Sequence, residues 1–173
     1  MILPKELIST NKLAVSLPSG TTVSLPVYTL TLKPWLGELP NFSFGNKPFL
    51  DYKGKGVFAE YAILKMFTEI GWNGVWVETY GGIHFLDEMP TGWKTSKHNI
   101  SIPEDKEKIL RDIWKTGKTT ACFDVFLWKD NKVLFCESKH KGKDRLTKAQ
   151  TKFIEGALSC GISQESLIIV EWD

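Results

Sequence analysis

A predicted β-hairpin brings two carboxylates and a lysine together. The segments TTACFDVFLWK and KVLFCESK are rich in β-branched, aromatic and apolar residues, and Asp130-Asn131 between them is typical of a tight turn. A turn centred on that pair places Asp124 directly opposite Glu137 for any even loop length. Lys139 follows Glu137 by two residues, so the two side chains leave the same face of the strand.

This arrangement favours a bound cation. Directly opposed side chains of antiparallel strands lie about 4.5–5.5 Å apart at Cβ, where two like charges destabilise the pair. The expected ion is Mg²⁺, with Mn²⁺ as its substitute, held by Asp124, Glu137 and the main-chain carbonyl of Ser138. Lys139 would orient or deprotonate a water, or place its charge on a phosphate. These residue types predict metal-dependent hydrolysis of phosphodiester bonds.

Basic residues are concentrated in the second hairpin strand and in the segment that follows it. Residues 132–152 contain seven lysines and arginines against two acids, whereas the whole chain has a formal net charge of +2. The overall charge is too small to indicate a polyanionic partner, so a nucleic-acid interaction depends on this cluster. A solvated loop and helix face is the ordinary alternative for a basic run. The residues predicted to contact phosphates are His140, Lys141, Lys143, Arg145 and Lys148.

The elements that would position these residues alternate between strands and helices. At 173 residues and 42% hydrophobic content, the chain fits one domain, residues 1–173. The predicted elements are a hairpin at 12–17 and 21–32, an irregular tract at 33–55, a helix at 56–70, a strand at 75–80, a helix at 104–115, the hairpin already described, a helix at 145–159 and a strand at 166–172. This order predicts an α/β or α+β fold with a mixed central sheet flanked by helices. Residues 1–54 are a β-rich extension, and about 82–118 is an insertion in a core over 55–173.

Two polar residues interrupt apolar helix faces. Glu60 lies three residues after Val57 and four before Leu64, which places a carboxylate within the apolar stripe of the first helix. Its position in the first turn, where the helix dipole favours acids, is an equally good explanation. Gln150 lies four residues after Leu146 in the later helix, and a single such glutamine is commonly a satisfied core polar group. Both helices flank the hairpin, so both residues are candidates for the same site.

The combination resembles a known nuclease site. Asp124, the hairpin, Glu137-Ser138-Lys139 and Glu60 on a preceding helix resemble the active site of the PD-(D/E)XK nuclease superfamily. The order of elements is similar to its restriction-endonuclease-like α-β-β-β-α-β core. The resemblance implies that Asp124 and Glu137 are metal ligands, that Lys139 is the catalytic lysine, and that Glu60 is an additional acid near the metal.

A second pattern refines this resemblance. Leu146-Thr147-x-x-Gln150, followed by Gly161 and an apolar strand, is similar to the VRR-NUC branch and to some Holliday-junction resolvases and RecB-like nucleases. This similarity implies that Gln150 supports the site. Phe123 stands where the superfamily motif has proline, and Val125 stands where the VRR-NUC branch has arginine. The resemblance covers about residues 55–172.

The implied function is a metal-dependent DNA endonuclease, with structure-selective cleavage, repair, recombination, restriction and mobile-element processing left open. A homodimer is one way to cut both strands. Two alternatives remain: a noncatalytic nucleic-acid-binding or interaction module with the same fold, and a structural protein whose acid pair is solvated at a sheet edge.

Other chemistries have weaker support. Gly117-Lys118-Thr119 resembles the end of a phosphate-binding loop, but the first glycine of that motif would fall at Asp112, so no nucleotide cofactor is expected. The three cysteines show neither paired spacing nor a zinc pattern, which indicates a reducing, cytoplasmic environment. No apolar run approaches the roughly 18–20 residues of a membrane span, so no membrane association is expected.

Overall fold

A mixed seven-stranded sheet carries most of the chain in the computed structural model, which describes residues 2–39, 47–79, 81–91 and 99–173. Within these ranges the elements are β1 Ile8–Ser16, β2 Thr22–Leu30, β3 Leu50–Tyr52, β4 Lys55–Val57, α1 Ala59–Glu69, β5 Asn73–Glu78, β6 His84–Leu86, α2 Glu104–Gly117, β7 Val125–Lys129, β8 Lys132–His140, α3 Lys148–Ser159 and β9 Leu167–Trp172. The predicted α/β class with a mixed sheet and flanking helices is confirmed. None of the described helices is long and apolar enough to cross a membrane.

The sheet order is β1-β2-β9-β8-β7-β5-β6. Strand β9 pairs in parallel with both β8 and β2, and the remaining neighbours are antiparallel. The central strands are covered on both faces, which explains their continuous apolar runs, such as 133–136 and 167–170. Helix α1 packs on one face with Leu127 and Leu134, and α3 packs on the other with Phe126 and Phe135.

The hairpin β7–β8 has the predicted register. Val125 pairs with Cys136 and Lys129 pairs with Lys132, and the turn residue Asp130 has φ 53°. Asp tolerates this left-handed conformation better than most residues. The first strand is shorter than expected, since it begins at Val125 instead of residue 119. Asp124 therefore precedes the strand by one residue.

The N-terminal hairpin is present, and it extends the main sheet instead of standing as an accessory. Strand β2 pairs in parallel with β9, with Val27 beside Ile169. Without β2, the apolar strand β9 would be an exposed edge of the kind that proteins normally cover. The tract expected to be irregular contains a further hairpin, β3–β4, whose turn residues Lys53 and Gly54 both have positive φ. Lys-Gly is not one of the usual signals for such a turn, so the sequence pattern did not reveal it.

The segment predicted as an insertion at about 82–118 completes one edge of the sheet and one helical layer. Strand β6 pairs with β5, and α2 packs against α3. The two helices approach closely at Gly117 and Gly156, where a Cβ on Gly156 would lie 2.6 Å from the main-chain oxygen of Ile113. Glycine is required there because any side chain would separate the helices. Residues 92–98 of this segment lie outside the described ranges.

Helices α1 and α3 begin later than their hydrophobic periodicity indicated. The expected start of α1 at residue 56 is wrong because Gly56 and Val57 belong to β4. The expected start of α3 at residue 145 is wrong because Thr147 is its N-cap. Thr147 and Gln150 form a capping box, a T-x-x-Q signal visible in the sequence that marks this start better than periodicity does.

Candidate active site

Asp124 is held by main-chain contacts to two strands. Its Oδ2 accepts a hydrogen bond from the main-chain NH of Ser138 at 2.8 Å, and its main-chain oxygen accepts from the NH of Val77 at 2.7 Å. Desolvation raises the pKa of its carboxyl well above the usual range, and the charges of Glu137 and Glu60 raise it further. The ammonium of Lys47 acts in the opposite direction, and a further cation close to Asp124 would favour the ionised form as well.

Glu137 is 1% exposed and only half satisfied by the protein. Its Oε1 accepts from the Lys139 ammonium at 2.7 Å and from the side-chain amide of Gln150, whereas its buried Oε2 has no hydrogen-bond partner among the described residues. Burial raises the pKa of Glu137 to about 7, against the opposing effect of Lys139. Buried polar atoms normally have a partner, so Oε2 is an oxygen whose hydrogen-bonding or ligating capacity the described residues leave unused.

Lys139 reaches the same point from two residues further along β8. The side chain of Lys139 is 13% exposed, and its Nζ also lies 3.4 Å from Oε1 of Gln150. The ammonium is thus fixed between a carboxylate and a side-chain amide, although its stem is long and flexible. The structure thus holds a positive charge beside the carboxylate of Glu137.

Gln150 belongs to the site for a reason other than the one its spacing indicated. Leu146 precedes α3, so Gln150 stands at the N-terminal end of the buried face formed by Phe153, Ile154 and Ala157 and not within it. It occupies the third position of α3, where its Oε1 accepts from the main-chain NH of Thr147 at 2.9 Å and its Nε2 donates to Glu137. The side chain therefore contacts Glu137, and the supporting role that the resemblance implies stays a prediction.

Glu60 is paired with a lysine that the sequence did not single out. It lies buried in the first turn of α1, and its Oε1 accepts from the ammonium of Lys47 at 2.8 Å. The same ammonium lies 5.0 Å from the centroid of the Trp76 ring. Burial alone would lower the pKa of Lys47, but the charges of Glu60 and Asp124 raise it above its ordinary value. No local pattern marks Lys47, because it lies in a Pro- and Gly-rich tract and its contacts are all tertiary.

The oxygen ligands available to a cation are few. Within the described ranges, no group of three or more His, Cys, Asp or Glu side chains is arranged to hold a metal ion. Glu60 is committed to Lys47, which leaves Asp124 and Glu137 as the carboxylate pair. This pair fits Mg²⁺, which usually keeps several waters and binds through one or two carboxylates. The carbonyl of Ser138 as a third ligand stays a prediction.

The residues predicted to contact phosphates follow the Glu137-Ser138-Lys139 segment, between the end of β8 and the start of α3. His140 stacks on Trp172 at 4.2 Å between ring centroids, and Lys141 pairs loosely with Asp173 at 3.4 Å. The other three basic residues are exposed: Lys143, Arg145 and Lys148. We call residues 141–147 the basic loop.

Comparison of the chain with family models, with curated proteins and with solved structures found no match. The geometry of the site is therefore what bears on function.

Proposed function

We propose that this protein is a divalent-metal-dependent endonuclease that hydrolyses phosphodiester bonds in DNA with a PD-(D/E)XK-type site. The observation that carries the proposal is the state of Glu137. Its carboxylate is buried, one oxygen is fixed by Lys139 and Gln150, and the other has no partner among the described residues, although a second acid, Asp124, lies beside it. Desolvating such a pair is costly unless a cation compensates it.

Each residue has a separate task in this proposal. Asp124 and Glu137 hold Mg²⁺, which would supply a Lewis acid and a nucleophilic water at neutral pH. Gln150 keeps Glu137 oriented, and Lys139 places positive charge where the phosphate becomes more negative during the reaction. The basic loop contacts neighbouring phosphates and fixes the strand.

The proposal also includes a VRR-NUC-like or resolvase-like branch, a cytoplasmic location and a homodimer where both strands are cut. All three cysteines are free, which fits a reducing compartment. A noncatalytic DNA-binding module is the second candidate, because the basic loop is exposed whether or not the carboxylates bind metal.

The deciding experiment compares the wild type with Asp124→Asn on single-stranded, linear, supercoiled and branched DNA and on RNA. With Mg²⁺ or Mn²⁺, the wild type is expected to nick or cut DNA, and a chelator or Asp124→Asn is expected to abolish cleavage. Binding without cleavage on every substrate would favour the noncatalytic module. Absence of both binding and cleavage would reject nucleic acid as the substrate class.

Lys139→Met separates catalysis from metal binding. The variant should bind Mn²⁺ at pH 8 and lose most of its turnover, because its charge is needed at the phosphate and not at the metal. Lys132→Met is the matched control, since Lys132 is an exposed lysine at the other end of the same strand. Equal activity of the two variants would remove Lys139 from the mechanism.

A further inference from the structure

A groove of about 490 Å³ opens directly beside Lys139. Its lining residues belong to β1, β8, the basic loop, the start of α3 and β9. The volume falls within the range of about 300–1,000 Å³ that is usual for ligand sites. The proposed nuclease mechanism uses a metal site and phosphate contacts, and neither of these explains the groove.

The groove shares the sheet face that carries the candidate active site. In the parallel pairing of β8 with β9, Ile169 lies beside Glu137 and Glu171 lies beside Lys139. Directly paired residues of neighbouring strands point to the same face. Lys139 therefore belongs both to the site and to the groove lining, and whatever occupies the groove lies next to the reacting phosphate.

The chemistry of the lining is divided between apolar side chains and a few charges. The larger apolar side chains of the lining are Leu13 and Val15 of β1, Leu146 of the basic loop and Ile169 of β9. The basic loop adds the opposite charges of Arg145 and Asp144, and the half-buried Glu171 adds a carboxylate on β9. Apolar side chains suit a flat ring, Arg145 suits a phosphate, and a carboxylate accepts hydrogen bonds from an amino group.

We propose that this groove receives one unpaired base of the DNA strand next to the scissile phosphate. The inference rests on the proposed nuclease function and names its substrate class: DNA with an unpaired nucleotide at the cleavage site. Leu13 and Leu146 contact the two faces of the base. Glu171 accepts from the exocyclic amino group of cytosine or adenine, which thymine lacks. Taking a base out of an intact duplex costs free energy that a single-stranded or branched substrate does not require.

The test is binding by fluorescence anisotropy, with full-length Asp124→Asn protein so that no strand is cut. The probes are a duplex and a duplex with a single-stranded tail, in which the nucleotide at each tail position is cytosine, thymine or abasic in turn. The tailed probe should bind more tightly than the duplex. At one position near the junction, an abasic nucleotide should weaken binding about tenfold, and thymine should weaken it less.

Two further substitutions locate this preference. Leu13→Trp narrows the groove and should remove the difference between cytosine and abasic probes. Ile8→Trp is the matched control, because Ile8 is an exposed apolar residue on the same strand outside the lining, and it should keep the difference. Glu171→Gln should reduce only the difference in affinity between cytosine and thymine probes. If Leu13→Trp does not fold, this second variant tests the proposal in its place.

The proposal is overturned if abasic and cytosine probes bind alike at every tail position, or if Leu13→Trp and Ile8→Trp behave alike while both are folded. Cleavage by the wild type is measured on the same probes. Cleavage with no base dependence rejects the groove and leaves the nuclease proposal standing. Absence of both cleavage and binding rejects both.

Discussion

The side chain of Gln150 joins the start of α3 to the carboxylate of Glu137. Its Oε1 accepts from the main-chain NH of Thr147, and its Nε2 donates to Oε1 of Glu137. One amide thus caps a helix and orients a buried acid at the same time. The two roles can be separated by mutation, because Thr147 contributes to the cap whereas the hydrogen bond to Glu137 comes from Gln150.

Thr147→Ala should lower the free energy of unfolding by about 1 kcal/mol, because it removes part of the capping box. Gln150→Ala should lower it further, because it also removes a hydrogen bond to the buried carboxylate of Glu137. Only Gln150→Ala should lower the rate of DNA cleavage strongly, since it also releases Glu137. Urea denaturation and cleavage assays on both variants measure the two effects. Equal reduction of cleavage in both variants would mean that Gln150 acts through the helix alone.

The metal-free protein should lose stability as the pH rises. The pKa of Glu137 is about 7 in the folded protein against 4.5 for the free side chain, and the pKa of Asp124 is raised in the same direction. The folded state therefore binds more protons than the unfolded state in this range. The free energy of unfolding that this extra proton binding contributes is fully present below about pH 4.5 and is lost as the pH rises through about 7. Melting temperatures in chelator across pH 5–8 should show the fall.

Asp124→Asn should raise the melting temperature of the metal-free protein at pH 8, because it removes one of two neighbouring like charges while keeping an acceptor for Ser138. Mn²⁺ should stabilise the wild type at pH 8 and have little effect on this variant. Asp130→Asn, which changes an exposed carboxylate in the β7–β8 turn, is the control and should respond to Mn²⁺ like the wild type. A wild type indifferent to Mn²⁺ would argue against the metal site.

Lys47→Met should lower the free energy of unfolding by about 1–3 kcal/mol, since it leaves the buried carboxylate of Glu60 without its ammonium. The double variant Lys47→Met/Glu60→Gln should recover most of that stability. Lys47→Met should also bind Mn²⁺ more tightly by calorimetry, because a positive charge near Asp124 is removed.

The control for this pair is Lys53→Met in the β3–β4 turn, since the ammonium of Lys53 pairs with a glutamate at the other end of α1. Lys53 pairs with Glu69 at 2.7 Å, but both side chains are largely exposed, so the change in stability should be below about 1 kcal/mol. If Lys47→Met and Lys53→Met lower the free energy of unfolding equally, burial does not distinguish the two ion pairs.

Neutralising Lys143 and Arg145 to Gln should flatten the dependence of DNA affinity on salt concentration, by about 0.9 in slope for each phosphate that the loop no longer neutralises. Lys141 should contribute less, because it is already paired with Asp173. Lys55→Gln/Lys132→Gln changes two exposed lysines outside the basic loop and should leave the slope unchanged. An unaltered slope in the loop variant would place the phosphate path elsewhere.

The sequence by itself determined the hairpin and its register. Continuous runs of β-branched, aromatic and apolar residues define β7 and β8, and the Asp130-Asn131 turn fixes which residues oppose each other. The shared position of Asp124, Glu137 and Lys139 therefore followed from local rules. The mixed α/β sheet likewise followed from the order of elements. The T-x-x-Q capping signal was also present, although helical periodicity indicated an earlier start for α3.

Only the tertiary structure decided which distant residues meet. Parallel pairing of β9 with β2 and β8 joins segments far apart in the chain, and no local pattern encodes that choice. The groove beside Lys139 exists only because of this pairing. The contact between Lys47 and Glu60 depends on a tract without regular periodicity, so neither its geometry nor its burial could be read from spacing. Local patterns set strand registers and helix ends, whereas side-chain partners between elements depend on how the whole sheet is assembled.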